Sequence, residues 1–145
     1  MIQGIQILFY IIGVRKLEHF NQKKEHAEFC PKGQGTFEDV AELMRLAVLR
    51  CRKQKIKKLL INSTGLSGLR PPRFLERYQF ANSIASDASG KVKIAHVASR
   101  AWVRSGKFSI LVAKNRGLDA ENFLSEPDAM KWLLKTDTKL PPENA

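Results

Sequence analysis

The chain predicts one α/β domain: a mainly parallel sheet of four or five strands packed with about four helices. Three observations carry that expectation. A capped amphipathic helix from Thr36 to Lys53 runs into a short apolar strand, Leu59-Leu60-Ile61. Helical and apolar segments keep alternating to the end of the chain, the pattern of parallel strands joined by right-handed helical crossovers. With 145 residues, 43% hydrophobic and 27% charged, the chain suits one real core and requires no second domain.

Taken in order, Met1–Gly13 is the most apolar segment. It is shorter than the roughly 20 apolar residues a membrane span needs. No basic residue precedes it and no small-x-small cleavage site follows closely, so it fits a signal peptide poorly. Ile5–Ile12 is rich in β-branched and aromatic residues and reads as a buried strand, ahead of an interfacial or signal-anchor role. Val14–Lys24 is polar and mixed in charge, and reads as a loop or irregular turn anchored by His19 and Phe20. His26–Cys30 is a candidate second strand pairing with the first, and Pro31–Gly35 breaks the pattern. Residues 1–34 thus form N-terminal strands and a loop, 35–135 the main α/β unit, and 136–145 a flexible polar tail.

Thr36 is a good N-cap, and Asp39 three residues on is a weaker relative of the capping box. Val40, Leu43, Met44, Ala47, Val48 and Cys51 fall on one helical face. Glu38, Asp39 and Glu42 match the positive end of the helix dipole, and Arg50, Arg52 and Lys53 the negative end. Asn62–Gly68 closes the following strand with turn chemistry. A second helix is expected over Pro72–Ser86, with proline tolerated in its first turn and Phe74, Leu75, Tyr78, Ala81, Ile84 and Ala85 as its buried face. Lys91–Val97 alternates as a strand, with Val92 and Ile94 on one side. A third helix over Arg104–Lys114 packs Phe108, Leu111 and Val112, and Asn115-Arg116-Gly117 supplies a left-handed stop. Asn122–Leu124 is a short strand. Ser125 caps the last helix, which has early proline and buries Met130, Leu134 and either Trp132 or Leu133.

Charge is the unusual bulk property. The chain carries 25 basic and 14 acidic residues, a formal net charge of +11, and residues 41–116 hold the excess. Such a field favours anionic partners and says nothing about fold. Arg45, Arg50, Arg52, Lys53, Lys55, Lys57 and Lys58 lie within 14 residues without an acid between them. They form a candidate anion-binding patch that Arg104, Lys107, Lys114 or Arg116 would extend. A solvated surface is the plainer account of it; contact with nucleic-acid phosphates, an acidic protein or anionic lipid headgroups is the functional one.

Chemistry-bearing motifs are scarce. Cys30 and Cys51 stand 21 residues apart without a Cys-x-x-Cys, and read as small buried apolar groups. His19, His26 and His96 show neither metal-ligand spacing nor a nucleophile signature, and His96 reads as a packed or edge histidine. Gly65 and Gly68 do not make a phosphate loop, and nothing pairs two carboxylates. No enzyme, metal or cofactor is expected.

Several segments carry a family resemblance: Thr36-Phe37-Glu38-Asp39 at the helix entry, Lys58–Asn62 followed by a Gly-Leu turn, and Lys93–Ala98. Val112–Gly117, Phe123 and Pro127–Leu133 complete it. From about Gly35 to Leu134 the chain resembles the SpoIIAA-like proteins, relatives of the STAS (sulfate transporter and anti-sigma-factor antagonist) domains. The resemblance implies a small, soluble, non-catalytic regulatory module that binds protein partners. Members used in sporulation control carry a phosphorylatable serine in an Asp-Ser-Ser-Gly setting; the matching stretch here is Arg70-Pro71-Pro72, without a hydroxyl. Ser63, Thr64 and Ser67 are the nearest hydroxyls, and turn residues bonding nearby backbone is the stronger account of them.

The leading expectation is a cytoplasmic, non-enzymatic interaction module with no membrane span, binding a protein through Ser63, Thr64, Ser67, Leu69 and Arg70 and the start of the next helix. Nucleic-acid binding by the basic patch is the alternative, and a small apolar or lipid ligand between sheet and helices a further one. A homodimer is compatible with all three.

Overall fold

Thr36 starts the main helix as its sequence requires. Its hydroxyl accepts the Asp39 N–H at 3.1 Å, and the Asp39 carboxylate accepts the Thr36 N–H at 3.2 Å. The shorter aspartate therefore closes a full reciprocal capping box. The computed structural model describes residues 17–135; the strand expected at Ile5–Ile12 and the tail from Thr136 lie outside the described residues.

Those residues form β1 (Phe20–Gln22), β2 (Ala27–Phe29), β3 (Gly33–Gln34), α1 (Phe37–Lys53), β4 (Lys58–Asn62) and β5 (Leu66–Ser67). Then come α2 (Phe74–Ala88), β6 (Lys93–Val97), α3 (Arg100–Ser105), α4 (Lys107–Asn115), β7 (Ala120–Phe123) and α5 (Glu126–Leu134). The main sheet runs β1-β2-β4-β6-β7; β1 is antiparallel to β2, and every other pairing is parallel. The α/β class and the mostly parallel five-stranded sheet are as the alternation of segments predicts.

Strand alternation decides which helix meets which face. Leu59, Ile61 and Ile94 join Met44 and Val48 of α1, Ala81 and Ile84 of α2 and Val112 and Ala113 of α4 in the larger core. Leu60, Ala95 and Val97 point the other way, onto Ala129 and Leu133 of α5. Phe29, Leu59, Leu60 and Leu133 are under 2% exposed; burying each such side chain contributes about 1.5–3 kcal/mol. His96 is in phase with Ile94, so its ring faces the layer of α1, α2 and α4.

Several boundaries differ from expectation for local reasons. Phe20–Gln22, expected as loop, is an edge strand pairing Phe20 with Phe29; only Phe20 of the three is buried, which leaves little signal. The segments around Gly33 and Leu66, expected as breaker and turn, pair as a two-residue parallel ladder. Gly65 makes that approach feasible, because a Cβ there would lie 3.1 Å from Lys32 Cγ and 3.2 Å from the Pro31 carbonyl oxygen. Helix α2 begins at Phe74 rather than Pro72, because Glu76 accepts the Arg73 N–H at 2.8 Å and fixes Arg73 as the N-cap. Its buried residues are Ala81, Ile84, Ala85 and Ala88, whereas Phe74 and Leu75 are 60% and 61% exposed. The expected helix Arg104–Lys114 is two helices separated by Gly106, with Phe108 and Leu111 outward and Val112 inward. In α5 the buried pair is Ala129 and Leu133, with Met130 and Trp132 packed at its margin.

Candidate functional site

Parallel strands deliver their C-terminal ends to one edge of the sheet, and in open α/β sheets that edge is where sites form. Here β4 ends at Asn62, β6 at Val97 and β7 at Phe123. Ser63 follows β4 directly: its N–H donates to the Val97 carbonyl at 3.0 Å, and its hydroxyl and His96 Nε2 are joined by a hydrogen bond of 2.8 Å. Asn122 of β7 hydrogen-bonds the same ring. Serine, imidazole and amide thus link the ends of three neighbouring strands. The ring lies deep beneath the helices yet keeps access to a cavity, and this burial pushes its pKa down to about 4, with the Asn122 bond opposing weakly.

The cavity measures about 80 Å³ and lies between the sheet and helices α2, α3 and α4. Ile61, Ile94 and His96 form its floor, Ala81 and Ile84 one wall, and Ser109, Ile110 and Ala113 another. Phe37, Phe80 and Trp102 close over it, with the Phe37 ring 5.7 Å from Phe80 and 6.0 Å from Trp102. Trp102 also meets His96 edge-on at 6.1 Å. Gly106, between α3 and α4, is required at this spot. A Cβ there would sit 2.9 Å from the Trp102 carbonyl oxygen and 3.0 Å from Asn122 Nδ2.

On the outer surface of the same helices lies an apolar patch. Phe74 of α2 stacks on Phe108 of α4 with ring centroids 4.8 Å apart, in the open. Leu75 and Leu111 extend the patch, 61% and 56% exposed. Arg73, Arg104 and Lys107 flank it in sequence and are exposed.

The residues predicted for an interaction surface are dispersed in role. Ser63 is turned inward onto His96. Thr64 bonds Asn62 Oδ1 through its N–H at 3.0 Å and its hydroxyl at 2.6 Å, an Asx turn. Ser67 pairs with Gln34 in the small ladder. Leu69 packs against the core. Arg70 holds Glu76 in a two-pronged ion pair, with bonds of 2.9 and 2.7 Å. Together with the Arg73 N–H, that pair lowers the Glu76 pKa to about 2.

The predicted anion patch is partly consumed by internal contacts. Arg45 binds Asp87 at 2.7 and 3.2 Å, Arg52 donates to the Asp87 carbonyl at 3.0 Å, and Arg50 lies over the Phe20 ring at 5.5 Å. Lys53, Lys55 and Lys57 stay exposed. They sit where α1 feeds β4, at the N-terminal edge of the sheet. Arg104 and Lys107 follow β6 and belong to the opposite edge, about five residues or 16 Å of strand away. Lys114 pairs with Glu121, and Arg116 with Tyr78. The cations of α3 and α4 therefore do not extend the α1 patch.

Sequence reasoning named a small apolar ligand between sheet and helices without the residues that would line its cavity, and missed the Phe74–Phe108 patch. The second had a signal: α2 has apolar residues at Phe74, Leu75, Tyr78, Ala81, Ile84 and Ala85, more than one narrow face can bury. Compared with known protein families, characterised proteins and solved structures, the chain shows no significant match.

Proposed function

We propose that this chain is a non-enzymatic regulatory module of STAS-like α/β type that captures a protein partner on the outer face of α2 and α4. The carrying observation is the open Phe74–Phe108 stack, continued by Leu75 and Leu111 and flanked by Arg73, Arg104 and Lys107. The expected site at the start of the second helix is kept, but its centre moves from Leu69 and Arg70 to the outward residues. Their exposed surface amounts to about two whole apolar side chains, worth on the order of 3–6 kcal/mol when covered. Apolar anchors with exposed cations beside them in sequence suit an acidic amphipathic helix laid across the patch.

The Ser63–His96–Asn122 chain supports a structural rather than a nucleophilic role. A histidine with pKa near 4 is a weak base at neutral pH. The N–H groups of Ser63, Thr64 and Leu66, which an oxyanion hole would require, are already bonded.

The test is capture of partners by the native chain and by Phe74→Glu/Phe108→Glu, with folding of both verified by circular dichroism. Truncating or charging central anchors weakens binding at least tenfold. Lys53→Glu/Lys55→Glu/Lys57→Glu, on the opposite edge, should leave capture unchanged. Equal capture by the patch variant, or loss only in the lysine variant, refutes this function; the latter result favours the basic corner.

A further inference from the structure

The cavity beneath α2, α3 and α4 is separate from the outer patch and has its own chemistry. We infer that it is a binding site for the compact apolar end of a small uncharged molecule carrying one acceptor oxygen, with Arg77 as the polar group that reads that oxygen. The walls are mostly aliphatic: Ile61 and Ile94 from the sheet, Ile84 from α2, Ile110 from α4. Ala81 and Ala113, on facing helices, leave the space between them.

Size selects the ligand. About 80 Å³ is the room of two or three water molecules in the liquid, and roughly half of an engineered apolar cavity that encloses benzene. A long acyl chain does not fit; a ring edge or branched end does, with the rest of the molecule passing between Phe37, Phe80 and Trp102.

Charge selects as well. The imidazole on the lining is neutral and already bonded to Ser63 and Asn122. Glu121, on the wall, is held by Lys114. Arg77, also on the wall, donates through Nη1 to the Pro72 carbonyl at 2.6 Å, while its Nε is buried without a hydrogen-bond partner. A buried donor of this kind calls for an acceptor, and a ligand oxygen reaching that wall supplies one. A carboxylate would gain from the Arg77 charge, but with one free N–H to meet it and a largely aliphatic lining otherwise, the hydration it must lose outweighs that gain.

Phenol is the probe, with benzene and benzoate as comparators, followed by the methyl NMR signals of Ile61, Ile94 and Ile110. Phenol should give saturable shifts at millimolar concentration, benzene should bind three- to tenfold more weakly, and benzoate more weakly still. Ala113→Leu fills the space and should abolish the shifts. Arg77→Met keeps the cavity open, guards against a filled variant that fails to fold, and should erase the preference for phenol over benzene. No saturable shift with phenol, shifts that survive in Ala113→Leu, or an unchanged preference in Arg77→Met overturns the assignment. None of these readouts depends on the Phe74–Phe108 patch, so this site and the partner surface stand or fall separately.

Discussion

Acid should weaken this fold through His96 specifically, and the size of the effect follows from its burial. In the unfolded chain the imidazole titrates near 6.5, and in the folded chain near 4. Between those values the unfolded state holds a proton that the folded state refuses. Stability therefore falls as pH falls through this window. The gap between these values corresponds to about 2 kcal/mol lost by pH 5 and about 3 kcal/mol by pH 4. Replacing His96 with Gln removes the proton site while keeping a polar group near Ser63 and Asn122. Urea unfolding of both proteins at pH 7, 6 and 5, with the slope in urea checked for constancy, gives the stability difference between them. The native advantage over His96→Gln should shrink by about 2 kcal/mol from pH 7 to pH 5. A difference that stays constant over that range refutes the buried neutral imidazole. Glu76 does not confuse the result. Its folded pKa lies near 2 against 4.5 unfolded, so its contribution is present from pH 7 to pH 5 and is lost only as pH falls from about 4.5 toward 2.

Two further predictions concern packing. Gly106→Ala restricts the unfolded chain, worth about 0.4–1 kcal/mol, but its Cβ would press on the Trp102 carbonyl and the Asn122 amide. The net result should be a loss of about 1–2 kcal/mol in urea unfolding, and an unchanged midpoint would show that the approach is looser than described. Leu133→Ala, at the centre of the smaller core and fully buried, should cost about 2–5 kcal/mol by the same measurement. A cost below about 1 kcal/mol would mean that α5 contributes little to the fold.

Local chemistry made much of the fold legible. The Thr36 cap, the Gly117 turn with φ +89° and the Ser125 cap with its early proline each lie within a few residues of what they control. The alternation of Val92 and Ile94 found β6, which begins at Lys93 rather than Lys91. Where long-range contacts decide, the sequence is mute. Gln22 pairs with Ala27, and nothing polar in Asn21-Gln22 signals a strand. Gly33 and Leu66 find each other across more than thirty residues. Gly106 has an ordinary φ of −88°, so the break it makes comes from neighbours brought in by folding, namely the Trp102 carbonyl and Asn122.

The candidate sites were hidden for a related reason. Helix periodicity distinguishes apolar from polar faces, but it does not say whether an apolar face meets a core, a cavity or solvent. In α2 all three occur within fifteen residues: Ala85 and Ala88 in the core, Phe80 and Ala81 on the cavity, Phe74 and Leu75 outward. In α4 they occur within nine: Val112 in the core, Ser109 and Ile110 on the cavity, Phe108 and Leu111 outward. The side-by-side packing of these two helices is what turns separate residues into one stack and one cavity. Likewise Ser63, His96 and Asn122 are 33 and 26 residues apart, and only the parallel order of β4, β6 and β7 brings them into a chain of hydrogen bonds. A cavity floored by neighbouring parallel strands and walled by helices is a property of topology. Its residues look like ordinary core and turn residues until the sheet order is known.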